Sequence, residues 1–152
     1  MHLNICIFGI SGYTGSKLIK IISKHKNVKI SAVFGFSTKG KKIRELFPDI
    51  KNLPDIVVSD YKKFNFDNVD VVFSCLPHGM FQNEIISFIN EKASIIDLSG
   101  DFRLDNLLDY EEFYSLEHKS KKISKDFVYG LSEINKTKIS NSKKVANPGC
   151  YP

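Results

Sequence analysis

At 152 residues the chain is the length of one domain, long enough to bury a hydrophobic core and short for a two-domain enzyme. Hydrophobic residues at 42% and charged residues at 26% match the soluble globular average and exclude a disordered or fibrous class. The net charge of +5 does not single out nucleic acid: the lysines are scattered, with groups at Lys39, Lys41, Lys42 and at Lys119, Lys121, Lys122, Lys125, and no nucleic-acid-binding motif accompanies them.

In chain order, Leu3 to Phe8 is an apolar run that ends at Gly9 and predicts a strand. It is far too short to span a bilayer and its flanks are not those of a signal peptide, so the expectation is a cytoplasmic protein with no membrane partner. From Tyr13 to His25 the apolar spacing becomes helical through Leu18, Ile21 and Ile22, and "VKISAVF" then alternates as a second strand, completing a βαβ unit by residue 34. Further strands are predicted at 55–59 ("DIVVS"), 69–76 ("VDVVFSCL") and 94–99 ("SIIDLS"), with a helix from about Met80 to Glu91 that carries Phe81, Ile85, Ile86 and Ile89 on one face. Beyond Gly100 the regularity weakens. A short helix near "LLDYEEFY", a lysine-rich loop, an extended "DFVYGL", a turn or helix opening at Ser132 and a last strand "KKVAN" complete the pattern. Short buried strands alternating with helices predict an α/β fold, a Rossmann-like, doubly wound and mainly parallel sheet.

"GISGYTG" sets Gly9, Gly12 and Gly15 at three-residue spacing between the first strand and the first helix, where backbone amides at a helix start face a pyrophosphate and a Cβ would obstruct the approach. The spacing departs from G-x-G-x-x-G, and the strand before and helix after are what support it. The second strand runs into "AVFGFSTKGKK", which lacks the acid that binds a ribose 2′-hydroxyl and offers Ser37, Lys39, Lys41 and Lys42 instead. A hydroxyl and cations suit a 2′-phosphate, so NADP is favoured over NAD. The competing reading of these lysines is a solvated surface.

Three cysteines and four histidines (His2, His25, His78, His118) show neither a disulfide framework nor a metal pattern. Cys6 and Cys75 lie in apolar strands and read as small core residues. Cys150 follows Asn147, Pro148 and Gly149, and Pro152 suits the first turn of a helix, a setting that lowers a thiol pKa. His78, in "LPHG" at the end of a strand, stands at the carboxyl edge where open α/β sheets bind ligands; the equal alternative is a loop histidine bonded to the backbone.

Together, and in this order, "GISGYTG", "LPHG", "IDLSGDFRL", "YGLSE" and "NPGCYP" resemble the N-terminal half of the N-acetyl-gamma-glutamyl-phosphate reductases, NADP-dependent enzymes of arginine biosynthesis. Aspartate-semialdehyde dehydrogenase and aminoadipyl-phosphate reductase are relatives of that family. "GYTG" and "GCYP" look more like the glutamyl-phosphate enzyme than the aspartyl one and do not separate it from the aminoadipyl one. Gly100 stands where the family usually has alanine, and Ser132 where it usually has proline. The resemblance implies Cys150 as the nucleophile that forms a thioester from an acyl-phosphate substrate and releases phosphate, with NADPH then supplying hydride to give the semialdehyde. It implies cofactor contacts from Gly9, Ser11, Gly12, Tyr13, Thr14 and Gly15 in the turn, Ser37 and Lys41 after the second strand, and Pro77, His78 and Gly79 in "LPHG".

Members of this family run to roughly twice this length by the domain-size prior. Residues 1–149 are expected to be the NADP-binding domain and 150–152 the start of a catalytic α+β domain that is otherwise absent, together with its histidine acid/base, its substrate-binding residues and a C-terminal helix. On that view the chain is a fragment, inactive alone, with one sheet face left partly uncovered, and the full-length protein is a homo-oligomer. The alternative from another class is a non-catalytic NADP-binding module.

Overall fold

In the computed structural model, which describes residues 2–151, the apolar runs assemble into one six-stranded sheet. The strands are β1 (Leu3–Phe8), β2 (Val28–Phe34), β3 (Val71–Ser74), β4 (Ser94–Asp97), β5 (Val128–Tyr129) and β6 (Lys144–Ala146), ordered β2-β1-β3-β4-β6-β5. Each pairing between these strands is parallel. Helices α1 (Tyr13–Ile22), α2 (Ile43–Leu46), α3 (Leu107–Tyr114), α4 (Lys121–Ser124) and α5 (Ser132–Ser140) fill the connections. Chain order reverses direction at β1, β2 lying to one side and β3 to the other, which is the switch point where such sheets bind ligands. The helical position expected for Pro152 lies outside the described residues.

One face of the sheet carries Cys6, Phe8, Phe34, Val72 and Ile95, packed under Phe81, Ile85, Phe102 and Phe127. Aromatic rings fill this layer: Phe8 stacks on Phe34 at 4.4 Å, and Phe102 on Phe127 at 3.9 Å, each pair adding to the stabilisation from burial alone. On the other face Ile19 and Ile22 of α1 pack in one cluster with Ile5, Ile7, Ile30 and Val33. That cover thins along the sheet. In the cross-strand row Val33, Ile7, Phe73, Ile96, Val145 the first two side chains are fully buried and the last three only half-buried. The partly uncovered apolar face expected from the sequence is therefore the β3-β4-β6 side of this layer.

Three predicted elements differ. Residues 55–59 form no strand, because their backbone divides its hydrogen bonds between two neighbours. Ile43 N–H donates to Ile56 O, Val58 N–H to Lys41 O, and Ser59 N–H to Val33 O, leaving isolated bridges Lys42 to Val57 and Phe34 to Ser59. The segment after Gly79 is not an α-helix but a π-helical turn, Phe81–Ile85, followed by a 3₁₀ turn, Ile86–Phe88. Groups distant in sequence intrude on its ladder. Asp101 accepts from the Gln82 N–H at 3.0 Å, and the Ser120 hydroxyl donates to the Gln82 carbonyl at 2.6 Å, so that the turn widens. The lysine-rich stretch, expected as a loop, contains the single turn α4.

Candidate cofactor site and cysteine turn

A parallel sheet delivers every strand-to-helix loop to one edge, and here the loops after β1, β2, β3, β4 and β6 carry the chemistry-bearing residues. Gly9 has φ +76°, and a Cβ there would lie 2.8 Å from the Cys75 carbonyl carbon, so the glycine turn packs directly on the loop that leads to Pro77, His78 and Gly79. Gly15, in the first turn of α1, has the same constraint for another reason: its Cβ would lie 2.8 Å from Ile10 Cα and 2.9 Å from the Gly9 carbonyl carbon. Helix and turn can approach this closely only without a side chain.

Gly12 is the N-cap of α1, extended at φ −76° and ψ 167°, with no side-chain cap hydrogen bond. The first amides of the helix, from Tyr13, Thr14 and Gly15, have no intrahelical acceptor. Ser11, Gly12, Tyr13 and Thr14 are exposed, and a Cβ on Gly12 would meet no protein atom closer than 3.5 Å, so the cradle is open toward solvent. Unpartnered amides at the positive end of a helix, with room beside them, fit a pyrophosphate.

Beyond the turn, at the ends of β1, β2 and β3, lies a cavity of about 270 Å³. Phe8, Phe34, Phe36, Tyr61 and Leu76 wall it, and Lys39, Asp60, Lys62 and Glu84 line it as well. This combination of apolar walls and a few polar groups is that of a ligand pocket. Lys39 donates to Asp60 Oδ2 at 2.7 Å, while Asp60 Oδ1 caps the following 3₁₀ turn by accepting from Lys62 N–H at 3.1 Å. Hydrogen bonding to Lys39 holds the Asp60 carboxyl below its ordinary pKa. The Tyr61 hydroxyl donates to Glu84 at 3.1 Å; burial foremost, with that carboxylate, pushes its pKa up. Ser37 and Lys41 are exposed on the loop after β2. Of the lysines there, Lys39 is held by Asp60 and Lys42 stands 3.9 Å from Asp55.

The segment after β2 carries no acid of its own, but the fold brings one to it. Ser59 is bridged in parallel to Phe34, so Asp60 stands beside Gly35, one residue past the end of β2, although it belongs to the next segment. Its signal in the sequence is local: an Asp before "YKK" is an N-cap pattern.

His78 is exposed and packs on the Tyr114 ring at 5.2 Å. Its loop is fixed from below by a buried polar network that sequence reasoning missed. The fully buried Asp101 accepts from the backbone N–H groups of Gly79 and Gln82 and from the Tyr110 hydroxyl, at 3.3 Å; Gln82 Nε2 donates to that hydroxyl at 2.8 Å. His118 Nε2 meets the Asp101 carbonyl at 2.8 Å, and burial lowers its pKa.

Cys150 is exposed in the loop after β6. Arg103, from the "DFRL" loop after β4, secures the approach to it: Nε donates to Asn147 O at 2.8 Å and Nη2 to Leu98 O at 3.1 Å. Of the other two thiols, Cys6 is buried in the core and Cys75 is half-buried against it. Burial pushes Cys6 up to about 11, and burial together with the Asp97 charge pushes Cys75 up to about 12. The neighbouring Asp97, fully buried at the end of β4, rises to about 6 because burial outweighs the hydrogen bonds from Ser99.

An all-parallel sheet with a glycine turn opening its first helix at the switch point defines a Rossmann-like dinucleotide-binding domain. The family model described as semialdehyde dehydrogenase, NAD binding domain, matches residues 4–142, and the chain belongs to that family of oxidoreductases, which sets a nicotinamide dinucleotide as the cofactor class. It is 38% identical over 150 residues to N-acetyl-gamma-glutamyl-phosphate reductase of Acinetobacter baylyi, a match covering 99% of this chain and 43% of that protein. The chain therefore spans less than half the length of the curated relatives it matches. Among solved structures it resembles aspartate semialdehyde dehydrogenase II of Vibrio cholerae complexed with ASA, with a TM-score of 0.71 at 17% identity over 99% of this chain and 42% of that one. It also resembles aspartate semialdehyde dehydrogenase with NADP from Candida albicans, with a TM-score of 0.58 at 19% identity over 97% and 42% of the two chains.

Proposed function

We propose that this chain is the cofactor-binding part, with the nucleophile, of an NADP-dependent N-acetyl-gamma-glutamyl-phosphate reductase. The observation that carries the reading is the placement of the open glycine cradle and the exposed Cys150 on the same carboxyl edge of the sheet. The identity with the Acinetobacter baylyi reductase across essentially the whole chain supports the substrate. The exposed Ser37 and Lys41 after β2 support NADP, as does the cofactor named for the Candida albicans structure.

On this reading the amides of Tyr13, Thr14 and Gly15 hold the pyrophosphate, Ser37 and Lys41 take the 2′-phosphate, and the Pro77 to Gly79 loop closes the cofactor side of the cleft. A nicotinamide bound there supplies the hydride. Cys150 contributes the covalent step: its thiolate sulfur bonds to the acyl carbon, the carbon–oxygen bond to phosphate breaks, and phosphate leaves with the electron pair. The Arg103 hydrogen bonds to Leu98 and Asn147 keep the cysteine turn in place for this attack. Among the described residues, no imidazole or carboxylate hydrogen-bonds to Cys150, so residues 1–152 by themselves are expected to bind cofactor without turnover.

The test has two parts. NADPH titrated into the protein and followed by its fluorescence is expected to bind saturably. The full-length gene product is expected to reduce NADP with N-acetyl-glutamate semialdehyde only when phosphate is present, and to lose this with Cys150→Ser. Reduction that is indifferent to phosphate, or that survives Cys150→Ser, refutes the proposal.

A further inference from the structure

The cavity beside the glycine cradle contains an ion pair that a plain 2′-phosphate site does not call for. Lys39 follows β2, the strand whose end reads the adenosine ribose in Rossmann-like domains, and it is the cation of this loop that lines the cavity. Its charge is answered by Asp60 at 2.7 Å, whose side chain is 22% exposed against 57% for that of Lys39. The remaining charged groups lining the cavity are Lys62, stacked over the Tyr61 ring at 5.8 Å, and Glu84, which accepts from the Tyr61 hydroxyl. Neither the Lys62 ammonium nor the Glu84 carboxylate hydrogen-bonds to Lys39 or to the Asp60 side chain.

The turn at Tyr61 does not explain the charge on Asp60. Capping uses Oδ1 alone and would be served equally by asparagine or serine. Oδ2 is committed to Lys39, across 21 residues of sequence. Asp60 also stands one residue past the Phe34 to Ser59 bridge, so a carboxylate is present beside the end of β2 although β2 itself carries none. A carboxylate there is the acceptor that a ribose 2′-hydroxyl needs, and a lysine there is the donor that a 2′-phosphate needs. The site contains both, each neutralising the other.

We infer that Asp60 is a specificity-determining residue: it clamps Lys39 and holds down the margin by which the site prefers a 2′-phosphate to a 2′-hydroxyl. The inference rests on the dinucleotide reading given above and deepens it. A 2′-phosphate held by Ser37 and Lys41 gains Lys39 as a further donor only by drawing it away from Asp60, whereas a 2′-hydroxyl meets the carboxylate without disturbing the pair.

The experiment titrates adenosine 2′,5′-bisphosphate and 5′-AMP into the protein by calorimetry, so the readout is binding and not turnover. Asp60→Asn keeps the cap and removes the charge; it is expected to tighten the bisphosphate about fivefold and to leave AMP unchanged or weaker. Lys39→Met is expected to weaken the bisphosphate by about the same factor with AMP unaffected. Asp60→Ser, a second uncharged cap, must reproduce the Asp60→Asn ratio, and thermal melts confirm that all three variants fold. A bisphosphate-to-AMP selectivity within twofold of wild type in both Asp60 variants overturns the inference while leaving the dinucleotide reading intact. Failure of the wild type to bind either nucleotide overturns the dinucleotide reading itself.

Discussion

Gly15→Ala separates the structural role of the glycine turn from its binding role. The added methyl would lie 2.8 Å from Ile10 Cα and 2.9 Å from the Gly9 carbonyl carbon, where carbon atoms pack comfortably at about 3.5–4.0 Å. Both obstacles are backbone, so no rotamer change relieves them, and the first turn of α1 must retreat by about 1 Å. Retreat loosens Ile19 and Ile22, the helix's buried side chains on its face of the core. Overpacking of this kind costs about 1–3 kcal/mol, and the helix propensity gained on replacing glycine offsets less than about 1 kcal/mol in a first turn. A net loss of about 1–2 kcal/mol lowers the melting temperature by about 2–8 °C in a chain of this size.

Gly12→Ala is the matched control. Its Cβ would come no closer than 3.5 Å to any protein atom, and φ −76° suits alanine, so stability should stay within about 0.5 kcal/mol while the methyl projects into the open cradle and weakens NADPH binding. Melting followed by circular dichroism at pH 7, with a urea titration to give the free energy, reads the first effect, and NADPH fluorescence reads the second. If Gly15→Ala melts within 1 °C of wild type, or Gly12→Ala binds NADPH normally, the assignment of packing to one glycine and ligand contact to the other is wrong.

Iodoacetamide at pH 8 should label Cys150 alone in the folded protein, since Cys6 and Cys75 are buried or partly buried with thiols pushed up to about 11 and about 12; peptide mass spectrometry showing early label on Cys75 would contradict the burial argument. Asp97 is raised to about 6 in the folded chain, so between about pH 4 and pH 6 the native state holds a proton that the unfolded state has lost. Stability contributed by this group is complete below the unfolded pKa and falls by roughly 3 kcal/mol as pH rises through the folded one, and Asp97→Asn should flatten that slope in urea midpoints measured across the window. Asp101→Ala strips acceptors from the backbone N–H groups of Gly79 and Gln82 and from Tyr110, and should cost roughly 2–4 kcal/mol in urea midpoint analysis; Asp101→Asn, which keeps an acceptor, should cost less.

The first βαβ unit was legible because its signals are local. The apolar run to Phe8, the glycine stop and the helical spacing after Tyr13 all lie within a few residues of the structure they specify. The segment after Gly79 was misread for the opposite reason: its spacing is helical, but the groups that widen it, Asp101 and Ser120, arrive 19 and 38 residues later. Residues 55–59 alternate as a strand does, and only the fold reveals that Lys41 and Val33 compete for their backbone. At the site, the glycines were read from spacing and context, whereas Asp60 was invisible to a rule that looks for the ribose acid within the second strand, because here a neighbouring segment supplies it.

The same logic orders the cysteine turn. Cys150 stands out in the sequence through its short motif, but a loop that ends a three-residue strand has little of its own to hold it. What holds it is Arg103, which carries its charge into a half-buried position and spends it on two carbonyl oxygens, Leu98 and Asn147, one from each of two adjacent strand ends. A lysine there would make point contacts without the planar fork that reaches both at once. The arginine of "DFRL" and the buried aspartate two residues before it therefore divide the labour of one loop. Asp101 fixes the turn that carries His78, and Arg103 fixes the turn that carries Cys150, so the loop after β4 sets the spacing between those two turns.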